Sequence, residues 1–272
     1  MSYSPGGAFA AGWGVVRGRY RVMLEASVLY AIAQVVIVIL QQLSGTADDV
    51  FSLEQLLVQA ATTLGVSIPA AGGFAWMGVA AQRPGPVAIS NFFAGYRRWR
   101  TLIGVWFLEA GAAVAILGPA LLLSAVLVTN WSLAGGFDSI RGGALGLGAF
   151  IAIWAAASMG AAWVSIRLVF AQIVCLDPDA GNLDALTCLS RSWSRTRGHA
   201  FSLYLTLLGV ALAILLSTLL LGLGLLLLGL PLAAGVIGAA YEQLVAQPRA
   251  RGASGLPDPG PFNPSTPPDL SI

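Results

Sequence analysis

The fold of this chain is decided by FSLYLTLLGVALAILLSTLLLGLGLLLLGLPLAAGVIGAAYEQL, the stretch at residues 201–244. It holds 44 residues and a single charged side chain, Glu242. A helix that crosses the ~30 Å hydrocarbon core of a bilayer needs about 20 apolar residues, so the stretch is long enough for two spans joined by a tight turn. We place that turn near Gly222-Leu-Gly224, with Gly229-Leu-Pro231 as the alternative.

Four more stretches are long and apolar enough to span a bilayer. They lie at about residues 23–43, 56–81, 102–128 and 144–164, and the last of them can be extended to residue 174. Hydrophobic residues make up 57% of the chain and charged residues 10%, which is too apolar for a water-exposed surface. Backbone groups inside a bilayer must be hydrogen-bonded within the protein, so we expect helices, with internal prolines that kink but do not abolish their spans. The predicted fold is all-α, a polytopic transmembrane bundle of six spans paired as three helical hairpins, with amphipathic cytoplasmic connecting helices.

Arginine is the basic residue of this chain, which has 14 arginines and no lysine. Twelve of the arginines fall beside span ends on one side of the predicted topology, and Arg141 falls on the other. Cytoplasmic loops carry the excess of basic residues, so both termini are predicted to be cytoplasmic. That orientation requires an even number of spans. We therefore expect a multi-pass protein of the bacterial cytoplasmic (inner) membrane.

The C-terminal stretch differs in composition from the rest of the chain. Residues 247–272 are rich in Pro, Gly and Ser and cannot bury a hydrophobic core. The sequence therefore predicts a six-span membrane domain over residues 1–246 and a disordered, proline-rich cytoplasmic tail over residues 247–272.

Each pair of spans follows a segment in which glycine and arginine stand beside an aromatic residue or histidine. Two of these segments are preceded by apolar residues at helical spacing, at residues 87–96 and 183–193. We expect amphipathic helices there, the second over about residues 182–197 with Asp179 or Asn182 as its cap. In such helices apolar side chains enter the headgroup boundary while arginines meet lipid phosphates; the alternative is ordinary positive-inside anchoring. The predicted lipid-headgroup contacts are Arg97, Arg98, Trp99, Arg100, Arg191, Trp193, Arg195 and Arg197.

Motifs after the fourth span and at the end of the sixth carry a family resemblance. They read Arg167-Leu-Val-Phe-Ala-Gln-Ile-Val-Cys-Leu-Asp177, then Asp184-Ala-Leu and Ser192-Trp-Ser-Arg-Thr-Arg-Gly198, and finally Tyr241-Glu-Gln-Leu244. In these motifs the chain resembles the six-span bacterial membrane proteins of the YciC type, and it is similar to the membrane domain of some glycerophosphodiester phosphodiesterases. The resemblance implies a six-helix membrane fold. Those phosphodiesterases carry their chemistry in a separate soluble domain, so we expect no such activity from a chain with room only for the spans.

Two charged residues fall inside predicted spans. Glu109 lies seven residues after the start of the third span at residue 102, and Arg167 lies seven residues before residue 174. At a rise of 1.5 Å per residue, both lie about 10 Å inside the cytoplasmic boundary. Because the third and fourth spans are antiparallel neighbours, we predict an intramembrane ion pair between Glu109 and Arg167. The open alternatives are a polar relay or lipid-phosphate site, and an Arg167 that extends to the interface.

The sequence contains little that supports catalysis or metal binding. His199, the single histidine, has no carboxylate or nucleophile at supportive spacing, and we predict no catalytic residue, metal site or cofactor. Cys175 and Cys188 flank a predicted cytoplasmic loop, and a reducing compartment disfavours a disulfide there.

The function that we favour is that of a non-enzymatic integral membrane protein. It would act as a membrane organiser or accessory subunit that binds membrane lipids, anionic ones foremost. A protein partner or a homo-oligomer stays open, and no nucleic-acid partner is expected. The alternative is a transporter or permease component that uses the Glu109 and Arg167 pair.

Overall fold

The structure, a computed structural model, describes residues 3–44, 52–133, 140–219 and 223–253. The regular elements in those ranges are all helical, which confirms the predicted all-α fold. Six helices among these residues are long and apolar enough to cross a membrane, so the chain is a multi-pass membrane protein. These spans are Tyr20–Leu43, Leu53–Gln82, Trp99–Thr129, Leu147–Leu176, Ala200–Leu219 and Leu225–Leu244.

Eleven α-helices form the described bundle. In chain order they are α1 (Pro5–Gly18), α2 (Tyr20–Ser44), α3 (Leu53–Thr62), α4 (Ile68–Gln82), α5 (Ala94–Arg97), α6 (Trp99–Leu133), α7 (Ile140–Leu168), α8 (Ala171–Leu176), α9 (Ala185–Thr196), α10 (Ala200–Leu219) and α11 (Leu230–Ala253). Short π-helices at Thr63–Ser67 and Leu225–Gly229 lead into α4 and α11. Successive spans pack against each other, α2 on α4, α6 on α7 and α10 on α11.

The last two spans separate in the predicted neighbourhood. Helix α10 ends at Leu219, and helical structure resumes at residue 223, beside Gly224. The alternative turn at Gly229-Leu-Pro231 is wrong, because those residues lie within the continuous helix that becomes α11.

Wider helical turns accommodate two of the prolines inside spans. Proline lacks an N–H, and its ring clashes with the carbonyl four residues earlier. Those earlier residues are Gly65 for Pro69 and Leu227 for Pro231, and both lie in the π-helices, whose hydrogen bonds follow a different pattern. Pro119 lies inside the uninterrupted α6. The prediction that internal prolines leave their spans intact is therefore confirmed.

Glycines bring α11 into backbone contact with α4 and α1. A Cβ on Gly78 of α4 would lie 1.9 Å from the carbonyl oxygen of Ala234 in α11. A Cβ on Gly12 of α1 would lie 2.7 Å from the backbone nitrogen of Val236. Since no side chain fits in either gap, α1 and α4 pack closely on α11, and these three helices form the centre of the bundle.

The α6 span is the least buried of the six described spans, and side chains on α6 and α7 are widely exposed. The most apolar window of the α6 span is 11% buried, against 61% for the span that contains α4. Leu122 on α6 and Met159 on α7 are 71% and 74% exposed. A contiguous apolar surface of this kind is unfavourable in water, so it suits contact with lipid acyl chains.

Helix α9 forms inside the range predicted for the second connecting helix. Its N-cap position is held by Asp184, so the predicted cap at Asp179 or Asn182 is wrong. The helix begins later because Gly181, with φ of 78°, turns the backbone first. Leu186 is exposed, whereas the buried face consists of small residues. The buried residues are Cys188, Ser192 and Thr196.

The first predicted connecting helix does not form as a continuous element. Its residues make a 3₁₀ turn at Ile89–Asn91 and the four-residue α5. The helical path is interrupted at Phe93, whose ψ of 1° lies outside the α-helical range. At the other end of the chain, α11 continues to Ala253, past the predicted boundary at residue 246. Residues 254–272 lie outside the described residues, so the disordered tail stays a prediction there.

Candidate functional site at the arginine-rich end

Charged side chains from three distant parts of the chain meet at one end of the bundle. Arg83 follows α4, Asp177 follows α8, and Glu242 lies on α11. In sequence, Asp177 is 94 positions from Arg83, and Glu242 is 159 positions from it. Each charge comes at or near the end of an apolar span, so side-by-side packing of the spans brings the three together.

The Arg83 guanidinium is the centre of this cluster. It binds Asp177 through both terminal nitrogens, with Nη1 to Oδ1 at 3.1 Å and Nη2 to Oδ2 at 2.9 Å. Its Nε donates to Glu242 Oε1 at 2.7 Å, and Asp179 lies within 3.5 Å of Nη1. The ring of Trp76 lies under the guanidinium, with its centroid 5.2 Å from Cζ. This is the bidentate geometry that makes arginine–carboxylate pairs strong and specific.

Asp177 is the most buried carboxylate of the cluster, with a side chain that is 2% exposed. It accepts a hydrogen bond from the Tyr241 hydroxyl at 2.7 Å, and that hydroxyl in turn accepts one from Arg195 Nη1 at 3.0 Å. Burial alone would raise the pKa of Asp177, but the bonds from Arg83 and Tyr241 outweigh it and hold the pKa below its usual value. Burial would lower the pKa of Arg83, and the bonds to Asp177 and Glu242 raise it instead. Both shifts favour the charged forms, so Arg83 and Asp177 form an ion pair at neutral pH.

Backbone contacts fasten the cluster to the centre of the bundle. Arg19, the residue between α1 and α2, donates to the carbonyls of Ala80 and Arg83 at 3.4 and 3.3 Å. Gln82 donates to the carbonyl of Gly235 on α11 at 3.0 Å. The position of Arg83 is thus set by three helices before its carboxylate partners are considered.

A recess of about 500 Å³ opens beside Arg83. Its polar lining offers one guanidinium, two carboxylates and two amides. These groups can bind a polar ligand, but the lining contains no hydroxyl or thiol nucleophile beside a base. In the part of the chain that the structure describes, no group of three or more His, Cys, Asp or Glu side chains is placed to hold a metal ion. The polar lining residues are Gln82, Arg83, Asp179, Glu242 and Gln243.

The predicted headgroup residues divide into two groups. Arg98 and Arg195 are half-buried and bind the protein, and their contact with headgroups stays a prediction. Arg98 donates to the carbonyls of Cys175 and Gly181, and Arg195 donates to Tyr241 as described above. The others are exposed, so their contact with headgroups stays a prediction. The exposed members are Arg97, Trp99, Arg100, Arg191, Trp193 and Arg197.

Arg167 does not pair with Glu109, so the predicted intramembrane ion pair is wrong. The Arg167 guanidinium lies over the rings of Trp163 and Trp193, with Cζ 4.8 and 5.2 Å from their centroids. Glu109 instead hydrogen-bonds to Gln172. The prediction compared the depths of Glu109 and Arg167 along their helices but not the directions in which the two side chains point. Successive residues of a helix are rotated by about 100° about its axis, so Arg167 and its neighbours in sequence lie on different faces of α7.

Glu109 lies in a second cavity, of about 270 Å³, between α6 and the α7–α8 segment. Apart from Glu109, the polar lining groups are Ser165 and Gln172, and the other lining residues are apolar. Leu168 also lines the cavity, whereas Arg167 is on the face of α7 toward α9, where its carbonyl accepts a hydrogen bond from Ser192 at 2.8 Å.

Cys175 and Cys188 are joined by a disulfide, which overturns the expectation from compartment chemistry. Their Cα atoms lie 5.5 Å apart, and both residues are completely buried between α8 and α9. The two helices pack against each other, and this Cα separation is within the usual range for a disulfide.

Sequence reasoning missed Arg83, Asp177, Tyr241 and Glu242 as members of one site. It noted Glu242 only as the single charge of residues 201–244, and Arg83 was counted only among the twelve arginines at span ends. A usable signal was present: Asp177 and Glu242 are acidic residues at span ends on the arginine-rich side. Acids in that position are candidates for pairing with an arginine.

Comparisons with protein-family models, with curated proteins and with solved structures found no match for this chain. The account of the site therefore depends on the residues and geometry of this chain itself.

Proposed function

We propose that this chain is a non-enzymatic membrane organiser or accessory subunit that binds anionic lipid headgroups at its arginine-rich end. The observation that carries the proposal is the division of the arginines there. Arg83, Arg98 and Arg195 are half-buried and bind protein groups. Four exposed arginines instead lie in the two segments that carry exposed Trp99 and Trp193. Two of the four also donate to backbone carbonyls, Arg97 to Ser90 and Arg191 to Ala180. These four arginines are Arg97, Arg100, Arg191 and Arg197.

The physical basis is the combination of charge and aromatic residues at a membrane boundary. Each Arg close to an anionic leaflet contributes about 1 kcal/mol of attraction, and tryptophan prefers the headgroup level. The cluster around Arg83 contributes differently, since its guanidinium and carboxylates pair across separate spans and hold the helices together. An organising role therefore suits the site better than turnover does.

Orientation and location belong to the same proposal. The arginine distribution in the sequence supports cytoplasmic termini in a bacterial inner membrane, and the resemblance to the six-span YciC-type proteins supports the same setting. Reporter fusions after Gln82 and Ala180 should then report the cytoplasm, and fusions after Leu43 and Leu223 the opposite side. Both sets reporting the same side would rule out this topology.

The lipid-binding proposal is tested with a variant that replaces the four exposed arginines by glutamine. After purification in mild detergent, bound phosphatidylglycerol and phosphatidylethanolamine are quantified by mass spectrometry. We expect wild-type protein to retain phosphatidylglycerol selectively and the fourfold variant to lose that selectivity. Arg141→Gln, on the opposite face in the predicted topology, is the control and should behave as wild type. Equal lipid profiles for wild type and the fourfold variant would contradict the proposal.

A second candidate function, a transporter or permease component, is favoured by the Glu109 cavity. The cavity places a carboxylate, an amide and a hydroxyl within the membrane-spanning region, and charges there often mark a transport path. Because Arg167 does not pair with Glu109, the transporter alternative depends on Glu109 without Arg167. Labelling of a Glu109→Cys variant by a water-soluble thiol reagent tests it: a transporter predicts rapid labelling, and a sealed cavity predicts none.

A further inference from the structure

We infer that Arg167, together with Trp163 and Trp193, forms a discrete binding site for the phosphate group of one anionic phospholipid. The inference rests on the proposed lipid-binding function and names a particular site for it. The site is separate from the Arg83 cluster and from the four exposed arginines.

Arg167 lacks a counter-charge among the described residues. The residue is 9% exposed, and its Nε is buried without a hydrogen-bond partner. Within the described ranges, no carboxylate lies within ion-pair distance of it. The nearby acids are already engaged, Asp177 and Glu242 by Arg83 and Glu109 by Gln172.

The guanidinium of Arg167 lies over the rings of two tryptophans from different helices. Trp163 belongs to α7 and Trp193 to α9. Cation–π contacts of this kind restrain the group without using its N–H donors. The donors at the edge of the guanidinium plane thus remain for an anion, and a phosphate suits their fork geometry.

The contacts of Arg167 with α9 indicate its depth in the membrane. The carbonyl of Arg167 accepts hydrogen bonds from Ser192 at 2.8 Å and from Thr196 at 3.4 Å. Thr196 ends α9, and the membrane-spanning α10 begins at Ala200. Arg167 is therefore level with the start of a span, where lipid phosphates lie, and not deep in the hydrocarbon.

The surface around Arg167 distinguishes a lipid from free phosphate. Trp163 and Trp193 are 49% and 41% exposed, and Met159, one turn further along α7, is 74% exposed. The approach to Arg167 is thus bordered by apolar surface that suits an acyl chain. A phospholipid fits both the guanidinium, through its phosphodiester, and the apolar surface, through its acyl chains. Inorganic phosphate fits the guanidinium alone.

The experiment measures the binding of phosphatidylglycerol to detergent-solubilised protein by native mass spectrometry. Wild type is compared with Arg167→Gln, Arg167→Lys and Trp193→Leu. Losing a charge-assisted hydrogen bond of about 1.5 kcal/mol corresponds to about tenfold weaker binding, which we expect for Arg167→Gln at one lipid site. Arg167→Lys keeps the charge but not the fork, so we expect a smaller loss.

Arg141→Gln is the control, because it removes the same charge on the opposite side of the predicted topology, away from the arginine-rich end. We expect less than about a twofold change for it, as for a screened charge remote from the site. Millimolar inorganic phosphate should not displace the lipid from wild type. Equal losses for Arg141→Gln and Arg167→Gln, or displacement by inorganic phosphate, would overturn the inference.

The outcomes also separate this inference from the proposed function. Wild type without preference for phosphatidylglycerol over phosphatidylcholine removes the proposed function and this site with it. Wild type with that preference, and Arg167→Gln with unchanged binding, removes only the site. If Arg167→Gln does not fold, Arg167→Lys and Trp193→Leu decide the question, because unchanged lipid binding in both would also remove the site.

Discussion

Arg83 and Arg167 are both guanidinium groups beside tryptophan rings, but their remaining partners differ. Arg83 has Asp177 and Glu242 at hydrogen-bond distance, and the three charges come from separate spans. Arg167 lies over the rings of Trp163 and Trp193, and no carboxylate of the described residues lies within ion-pair distance of it. The two regions lie at the same end of the bundle, joined through Arg195 and Tyr241.

The difference teaches what a buried charge can do in a membrane protein. A charge that is neutralised by other spans links those spans, and its removal leaves the partners unpaired. A charge that is held by aromatic rings alone keeps its donors free for an anion from outside. Assembly and lipid binding are thus assigned to different arginines, and substitutions at each should have different consequences.

The largest effect is expected from breaking the Arg83 cluster. Arg83→Gln leaves Asp177 and Glu242 without their counter-charge, which should cost about 3–5 kcal/mol of unfolding free energy. Denaturation in mild detergent, followed by tryptophan fluorescence, measures this loss. The control is Arg21→Gln, which breaks the exposed pair of Arg21 with Glu25 and should cost at most about 0.5 kcal/mol. Similar losses for both variants would show that the cluster does not hold the bundle.

The next effect concerns the helix crossing that positions Arg83. Gly78→Ala introduces a Cβ 1.9 Å from a carbonyl oxygen of α11, so the helices must separate at a cost of about 1–3 kcal/mol. Gly111→Ala is the matched control, because α6 has open space there and alanine favours a helix. The same denaturation assay should show a loss for the first variant and none for the second. A neutral Gly78→Ala would mean that the contact between α4 and α11 is not so close in solution.

A smaller effect is expected from acid. Because the folded state holds the pKa of Asp177 below its ordinary value of about 4, this carboxyl adds stability that is complete above that value. The added stability is lost as the pH falls through the lowered pKa. Melting temperatures measured from neutral pH down to acid should therefore fall more for wild type than for Asp177→Asn, which has already lost the group. Parallel pH profiles for the two proteins would contradict the assignment.

The smallest expected effect is the energetic coupling between Glu109 and Arg167. Since Glu109 and Arg167 are not paired, the losses of Glu109→Gln and Arg167→Gln should add in the double variant to within about 0.5 kcal/mol. A direct ion pair would instead make the double variant lose clearly less than the sum of the single ones. Unfolding free energies of the four proteins in one detergent distinguish these outcomes.

Much of the fold could be predicted because the membrane reduces the choices. Backbone polar groups in hydrocarbon have to form helices, so long apolar runs such as residues 201–244 determined both the secondary structure and the number of spans. The connecting segments were harder, because apolar spacing alone predicted a helix over residues 87–96, where the backbone departs from helical geometry at Phe93. The disulfide between Cys175 and Cys188 was missed because compartment chemistry, and not helix packing, was used to judge it.

By itself, the sequence determined an all-α, six-span membrane protein with its arginines gathered at the span ends of one side. Length and hydropathy are properties of each segment alone, which is why they could be read directly. Only the tertiary structure decided that Arg83 meets Asp177 and Glu242 while Arg167 lies over the rings of Trp163 and Trp193. The rotation of each helix about its axis and the choice of neighbours select these partners, and both follow from packing between segments far apart in the chain, such as the crossing at Gly78.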